Sequence, residues 1–148
     1  MASISVETTI ARPVEEVWAR IADVGSHVRW MDDAVAIRFT SVGHVGVGTT
    51  FDCDTRLGPF HLTDRMVVTD WDAPSLMGIR HVGLVTGSGR FVLEPARAGT
   101  RFTWEEELAF PAWMGGGLGA AAASPLLRRV WCRNLGNLKT LIEGRAAV

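Results

Sequence analysis

The chain has no tyrosine, only two cysteines and no surplus of either charge, and each shortage rules something out. Its 148 residues carry a net charge of −1, with 21% charged side chains. That balance offers no broad basic field to nucleic acid or acidic lipid, so a nucleic-acid partner is not expected. Cys53 and Cys132 lack metal-ligand spacing and fit a reducing cytosol, so a cytoplasmic location is expected. His27, His44, His61 and His81 show no metal spacing either, and most are expected at the surface. No Ser-His-Asp set or reactive Cys-His pair can be assembled, and no metal or cofactor is implied. No basic stretch leads into an apolar run at the N-terminus, so no secretory signal is expected. Leu108 to Leu127 is uncharged, but Pro111, Pro125 and the glycines from Gly115 to Gly119 interrupt it. Stable membrane insertion is therefore not expected. No Gly-Lys-Ser/Thr follows those glycines, which excludes a phosphate loop. With no repeat or linker, residues 1–148 read as a single domain.

What is present is apolar bulk. Hydrophobic residues make up 47% of the chain, including six tryptophans and six phenylalanines, rings without a hydroxyl. Ser3 to Ala11 alternates Ile4, Val6, Thr8 and Ile10 against polar residues, the period of a strand. Pro13 then opens a helix, with Glu15 and Glu16 in its first turn, where the helix dipole favours carboxylates. Val14, Val17, Trp18 and Ile21 form its apolar stripe, and Gly25 is read as its end. A second short helical turn, His27 to Met31, carries Trp30 toward the body. From Ala34 to Phe110 the period is two, with turns at Gly58-Pro59 and Asp72-Ala73-Pro74-Ser75. Seven strands with short connections imply a meandering antiparallel sheet.

The last element reads as a helix from Pro125 to about Gly144, with Ser124 as its N-cap. Leu127, Val130, Trp131, Leu135, Leu138, Leu141 and Ile142 fall within about 140° on a helical projection. Asn134 breaks that stripe near its centre. A curved sheet gripping one long helix tends to leave an apolar space between them.

In their order and spacing, these segments resemble the START-like, Bet v 1-like superfamily, in its bacterial polyketide cyclase/dehydrase and lipid-transport branch. The resemblance rests on Pro13-Val14-Glu15-Glu16-Val17-Trp18, Asp23 and Trp30. It continues through Val68-Thr69-Asp70-Trp71-Asp72-Ala73-Pro74, Phe91-Val92-Leu93-Glu94-Pro95, Gly99-Thr100-Arg101-Phe102-Thr103, Leu135 and Leu138-Lys139. It implies an α+β helix-grip fold: a curved seven-stranded antiparallel sheet around a long C-terminal helix, with two short helices after strand 1. It also implies an internal cavity for a small hydrophobic or aromatic molecule, polyketide- or lipid-like, in a monomer or homodimer. Cyclases, lipid carriers, hormone receptors and resistance proteins share such scaffolds, so the resemblance leaves the activity open. Beside a binder, the alternatives are a polyketide cyclase/dehydrase and a protein-interaction or regulatory module whose exposed apolar loop docks on a partner.

The candidate residues follow from strand direction. In the last strand Phe102 and Trp104 claim the inner face, which carries Glu106 inward, where a desolvated carboxylate can act as acid or base. The alternative is a rim carboxylate paired with an arginine. Asp64 shares the face of Phe60, Leu62 and Met66, unless a bulge reverses the register and turns Arg65 inward. Arg80, on the face of Leu76, Gly78 and Val82, is a candidate charge for an enolate, and at most one of Arg80 and His81 points inward. Glu106, Asp64 and Arg80 are thus the catalytic candidates. The expected ligand contacts are Trp30, Phe51, Phe91, Phe102, Trp104, Trp131 and Asn134, the last with a structural amide as its alternative. The expected cavity holds roughly 300–1,000 Å³. Pro111, Trp113 and Met114 form either a lid over its mouth or a plain connection.

Overall fold

The computed structural model describes residues 2–144. Strand β1 (Ala2–Ile10) alternates buried and exposed side chains and leads through Pro13 into α1 (Val14–Ile21). Pro13 keeps an extended backbone as the cap, and α1 buries Val14, Val17, Trp18 and Ile21. The helix ends at Ile21, short of Gly25, because a tighter 3-10 turn (Val24–Arg29) takes over.

Six further strands follow: β2 (Ala34–Phe39), β3 (Thr50–Leu57), β4 (Phe60–Asp72), β5 (Leu76–Val82), β6 (Thr86–Ala96) and β7 (Gly99–Ala109). They form one antiparallel sheet in the order β1-β7-β6-β5-β4-β3-β2. The chain meanders from β2 to β7, and β1 joins beyond β7. Helix α2 (Gly116–Glu143) lies across the inner face and packs mainly on β1 and β7. This is the helix-grip arrangement, with two short helical segments after the first strand.

The start of α2 departs from the expected Ser124–Pro125 boundary. The helix begins nine residues earlier, at Gly116, and Pro125 lies inside it. Ser124 is no cap; its hydroxyl donates to the Ala120 carbonyl one turn back, at 3.0 Å. Ala120 to Ala123 are strong helix formers, and they carry the helix across a proline that local reading takes as a start. Gly115, at φ 94°, reverses the chain between the 3-10 turn Ala112–Met114 and α2.

The core sits where α1, α2 and the inner face of β1, β6 and β7 converge. Ile10, Val17, Ile21, Leu93, Phe102, Leu135 and Leu138 are almost completely buried there. Over the β2–β5 half of the sheet α2 gives less cover; Val68 and Met77 still belong to the core, but part of the inward face there borders open space.

Candidate functional site

That space is a cavity of about 450 Å³ between the inner sheet face and α2. Phe51, Phe91 and Trp104 line it from the sheet, and Leu127 and Trp131 from α2. The rings interlock: Trp104 stacks on Trp131 at 5.2 Å and meets Phe91 edge-on at 5.3 Å. Trp113 and Met114 close over one side, with Trp113 mostly exposed to solvent.

One corner is polar. Glu106, on β7, is buried among Trp104, Leu108 and the rest of the inner face. Its Oε1 accepts the Trp104 indole N–H at 3.1 Å, and its Oε2 lies 2.9 Å from His81 Nε2. The other ring nitrogen, His81 Nδ1, is 2.9 Å from Asp64 Oδ2. Asp64, His81 and Glu106 thus form a carboxylate–imidazole–carboxylate chain on the wall of an apolar cavity. Burial by itself lowers the His81 pKa, but hydrogen bonds to Asp64 and Glu106, and their charges, outweigh it and raise the pKa to about 10. At neutral pH His81 is therefore an imidazolium that donates both N–H groups. The second oxygen of Asp64, Oδ1, is buried with no hydrogen-bond partner among the described residues.

The register explains who faces whom. The bulge in β4 falls between Val68 and Asp70, beyond Asp64, so Asp64 keeps its inward direction. Arg65 points outward to Asp52, at 3.0 Å. On β5, His81 pairs with Met66 of β4, and the inward set is Met77, Ile79 and His81. Arg80 is consequently exposed on the outer face, away from the cavity. Its expected role beside an enolate is corrected: two alternating sets compete on this short strand, and pairing with β4 selects the odd one.

Three expected ligand contacts also stand elsewhere. Asn134 is completely buried, and its amide is consumed by structure. Its Oδ1 accepts the Asp32 backbone N–H at 2.9 Å, and its Nδ2 donates to Asp33 Oδ1 at 2.8 Å. It ties α2 to the loop before β2 and does not line the cavity. Trp30 and Phe102 sit in the core behind Phe91, with ring centroids 5.9 and 5.1 Å from its own, and do not border the cavity. Of the covering segment, Pro111 caps the 3-10 turn without reaching the cavity. Glu106, Asp64, Phe51, Phe91, Trp104, Trp131, Trp113 and Met114 all border it.

Sequence reading missed His81, His27 and Asp33, all on the cavity wall. His27 is buried, contrary to a surface placement, and burial holds its pKa down to about 4. Its Nε2 donates to the Ile21 carbonyl at 2.8 Å, so the neutral ring leaves Nδ1 as an acceptor. Asp33 has its pKa raised, chiefly by burial, against the hydrogen bond from Asn134. Cys53 also faces the cavity; burial pushes its thiol up to about 11, which keeps it unreactive. Cys132 is exposed, and both cysteines are free. The signal for His81 was present as the Met77, Ile79, His81 alternation. His27 had none, since a 3-10 turn gives too few residues for a periodicity.

An open antiparallel sheet closed by one helix over an apolar cavity defines a helix-grip architecture. Over residues 1–143 the chain matches the model of the family described as polyketide cyclase / dehydrase and lipid transport, and it belongs to that family. No curated protein matches it in sequence. Among solved structures it is similar to TTHA0849 from Thermus thermophilus, at 17% identity and a TM-score of 0.80, covering 97% of this chain and 99% of that one. It is also similar to the di-domain ARO/CYC StfQ from the steffimycin biosynthetic pathway, at 16% identity and a TM-score of 0.78. That match covers 99% of this chain and 52% of the two-domain protein. Bacillus halodurans protein BH1534 is similar at 18% identity and a TM-score of 0.74, covering 97% and 98% of the two chains. At such identities the likeness is one of fold. Among the described residues no helix is long and apolar enough to cross a membrane.

Proposed function

We propose that the chain binds a small, largely apolar or aromatic molecule, polyketide- or lipid-like, in the cavity between sheet and α2. The observation that carries this reading is the cavity itself: about 450 Å³ walled by Phe51, Phe91, Trp104, Leu127 and Trp131. A void of this size within an aromatic wall forfeits packing contacts that a filled core would make, and an apolar occupant restores them. Membership of the family adds support. Native mass spectrometry of freshly purified protein tests it. A co-purified or added aromatic molecule is expected to hold a one-to-one complex in wild type. Replacing Ile79 and Ala123, on opposite walls, with Trp fills much of the void and is expected to weaken that complex at least tenfold while the fold persists. Undiminished retention of the complex in the filled variant would place the molecule elsewhere.

A second reading is favoured by the polar corner: cyclase- or dehydrase-like chemistry, in which a bound carbonyl compound loses a proton from carbon. Among the three groups, Asp64 is the base with a free, buried oxygen. Both oxygens of Glu106 are engaged, and it acts by fixing the imidazolium that positions Asp64. A positioned base typically contributes ~10²–10⁴-fold to proton abstraction. Deuterium exchange at the α-carbon of ethyl benzoylacetate, followed by proton NMR, provides the measurement. Wild type is expected to accelerate exchange and Asp64→Asn to lose that acceleration, with binding largely kept. Glu106→Gln is expected to lose less than Asp64→Asn. Equal exchange with and without protein would leave binding as the whole function.

A further inference from the structure

The polar corner has an asymmetry of hydrogen-bonding groups. Both His81 N–H groups go to carboxylates, as does the Trp104 indole N–H. The Asn134 amide is spent on Asp33 and Asp32. Two buried side-chain polar atoms have no partner among the described residues. The donor, Trp30 Nε1, belongs to a core residue that does not border the cavity. The acceptor, Asp64 Oδ1, belongs to one that does, as does the second nitrogen of the neutral His27 ring. Charge is equally one-sided. Asp33, Asp64 and Glu106 border the cavity, against a single imidazolium. Arg90 is the only arginine or lysine bordering it among the described residues, and its guanidinium is paired with Glu105 on the outer face, at 3.0 Å. A buried acceptor without a donor carries a desolvation penalty that an incoming donor removes. An incoming carboxylate instead meets two carboxylates that already share the one imidazolium and finds no free donor there.

We propose that this cavity selects by hydrogen-bond polarity: its occupant is a mostly apolar molecule that presents a donor, ammonium ahead of hydroxyl, to Asp64 and carries no carboxylate. The proposal rests on the binding reading above and narrows its ligand class, setting free fatty acids and other carboxylates aside. Amines and hydroxyl-bearing aromatics are the chemistry that fits.

Three naphthalenes of nearly equal size separate the alternatives: 2-(2-naphthyl)ethylamine, 2-(2-naphthyl)ethanol and 2-naphthylacetate. Each is titrated at pH 7 and low salt into the full chain, with the Trp104 and Trp131 indole resonances followed by NMR. The expected order of affinity is amine, alcohol, carboxylate, with at least tenfold between the extremes. In Asp64→Asn the span is expected to collapse to threefold or less. Equal affinities, or a carboxylate that binds best, would overturn the polarity rule and leave the cavity reading standing. An undiminished span in Asp64→Asn would remove Asp64 as its origin. Silence of both indoles with all three compounds would overturn the binding reading and this inference together.

Discussion

Gly89 holds the space that Glu106 occupies. A Cβ at position 89 would lie 2.5 Å from the Glu106 carboxylate carbon, so the glycine on β6 makes room for the acid opposite it on β7. Gly89→Ala is therefore expected to push the carboxylate off His81 Nε2 while the strands stay paired. With one partner lost, the His81 pKa should fall from about 10 toward 6.5. The imidazole nitrogen shifts, followed by NMR against pH, measure it; an unmoved titration would show that Glu106 does not set the state of His81. At this scale the acid was legible and the imidazole was not. Phe102, Trp104 and Leu108 force Glu106 inward on any strand reading. His81 competes with Arg80 for one direction, and only β4 decides between them.

Among the elements, the entry to α2 is the piece most exposed to its neighbours' demands. Gly119 lies beneath the 3-10 turn, and a Cβ there would strike the Met114 carbonyl oxygen. Its N–H instead bonds to the Gly115 carbonyl at 2.9 Å, the first hydrogen bond to close the turn onto the helix. Gly119→Ala gains helix propensity but breaks this close approach, and the second effect is expected to win because a backbone atom cannot step aside. The expected outcome is faster amide hydrogen exchange across residues 112–119, with little change in β6 and β7. A ligand that fills the cavity should slow exchange over the same segment in wild type, since Trp113 and Met114 border it. Unchanged protection in both experiments would make the segment a plain connection. The glycine run and the uncharged stretch were visible in the sequence. That half of the stretch is helix was not, because Pro125 and Ser124 imitate a helix start.

Across the whole molecule, two buried histidines pull stability in opposite directions with pH. His27 is held neutral, with a folded pKa of about 4 against an ordinary 6.5. The unfolded chain binds the extra proton first, so this contribution is lost as pH falls from 6.5 toward 4. His81 is the reverse, with its folded pKa raised from 6.5 to about 10. The stability it contributes is complete below 6.5 and lost as pH rises through 10. Thermal unfolding temperature against pH is thus expected to peak near 6.5 and fall on both sides, at ~2–4 °C per kcal/mol lost for a chain of this size. His27→Gln should flatten the acid limb, and His81→Gln the alkaline limb. A single limb governed by both substitutions would contradict this division of roles.

The alternation of apolar residues, the turns at Gly58-Pro59 and Asp72-Ala73-Pro74-Ser75, and the stripe of α2 determined by themselves the seven strands and the gripping helix. These are local properties, read over a few residues, and burial of one face follows from them. The polar corner depended on the tertiary structure. Asp64, His81 and Glu106 lie on three different strands, and β4 and β7 are not neighbours in the sheet. The position of one bulge, past Asp64 and not before it, decides that Asp64 and not Arg65 meets His81. Asn134 likewise had two roles open until the loop before β2 folded against it and used both halves of its amide. A periodicity carries no information about register between strands, and register is what assembles charge in this cavity.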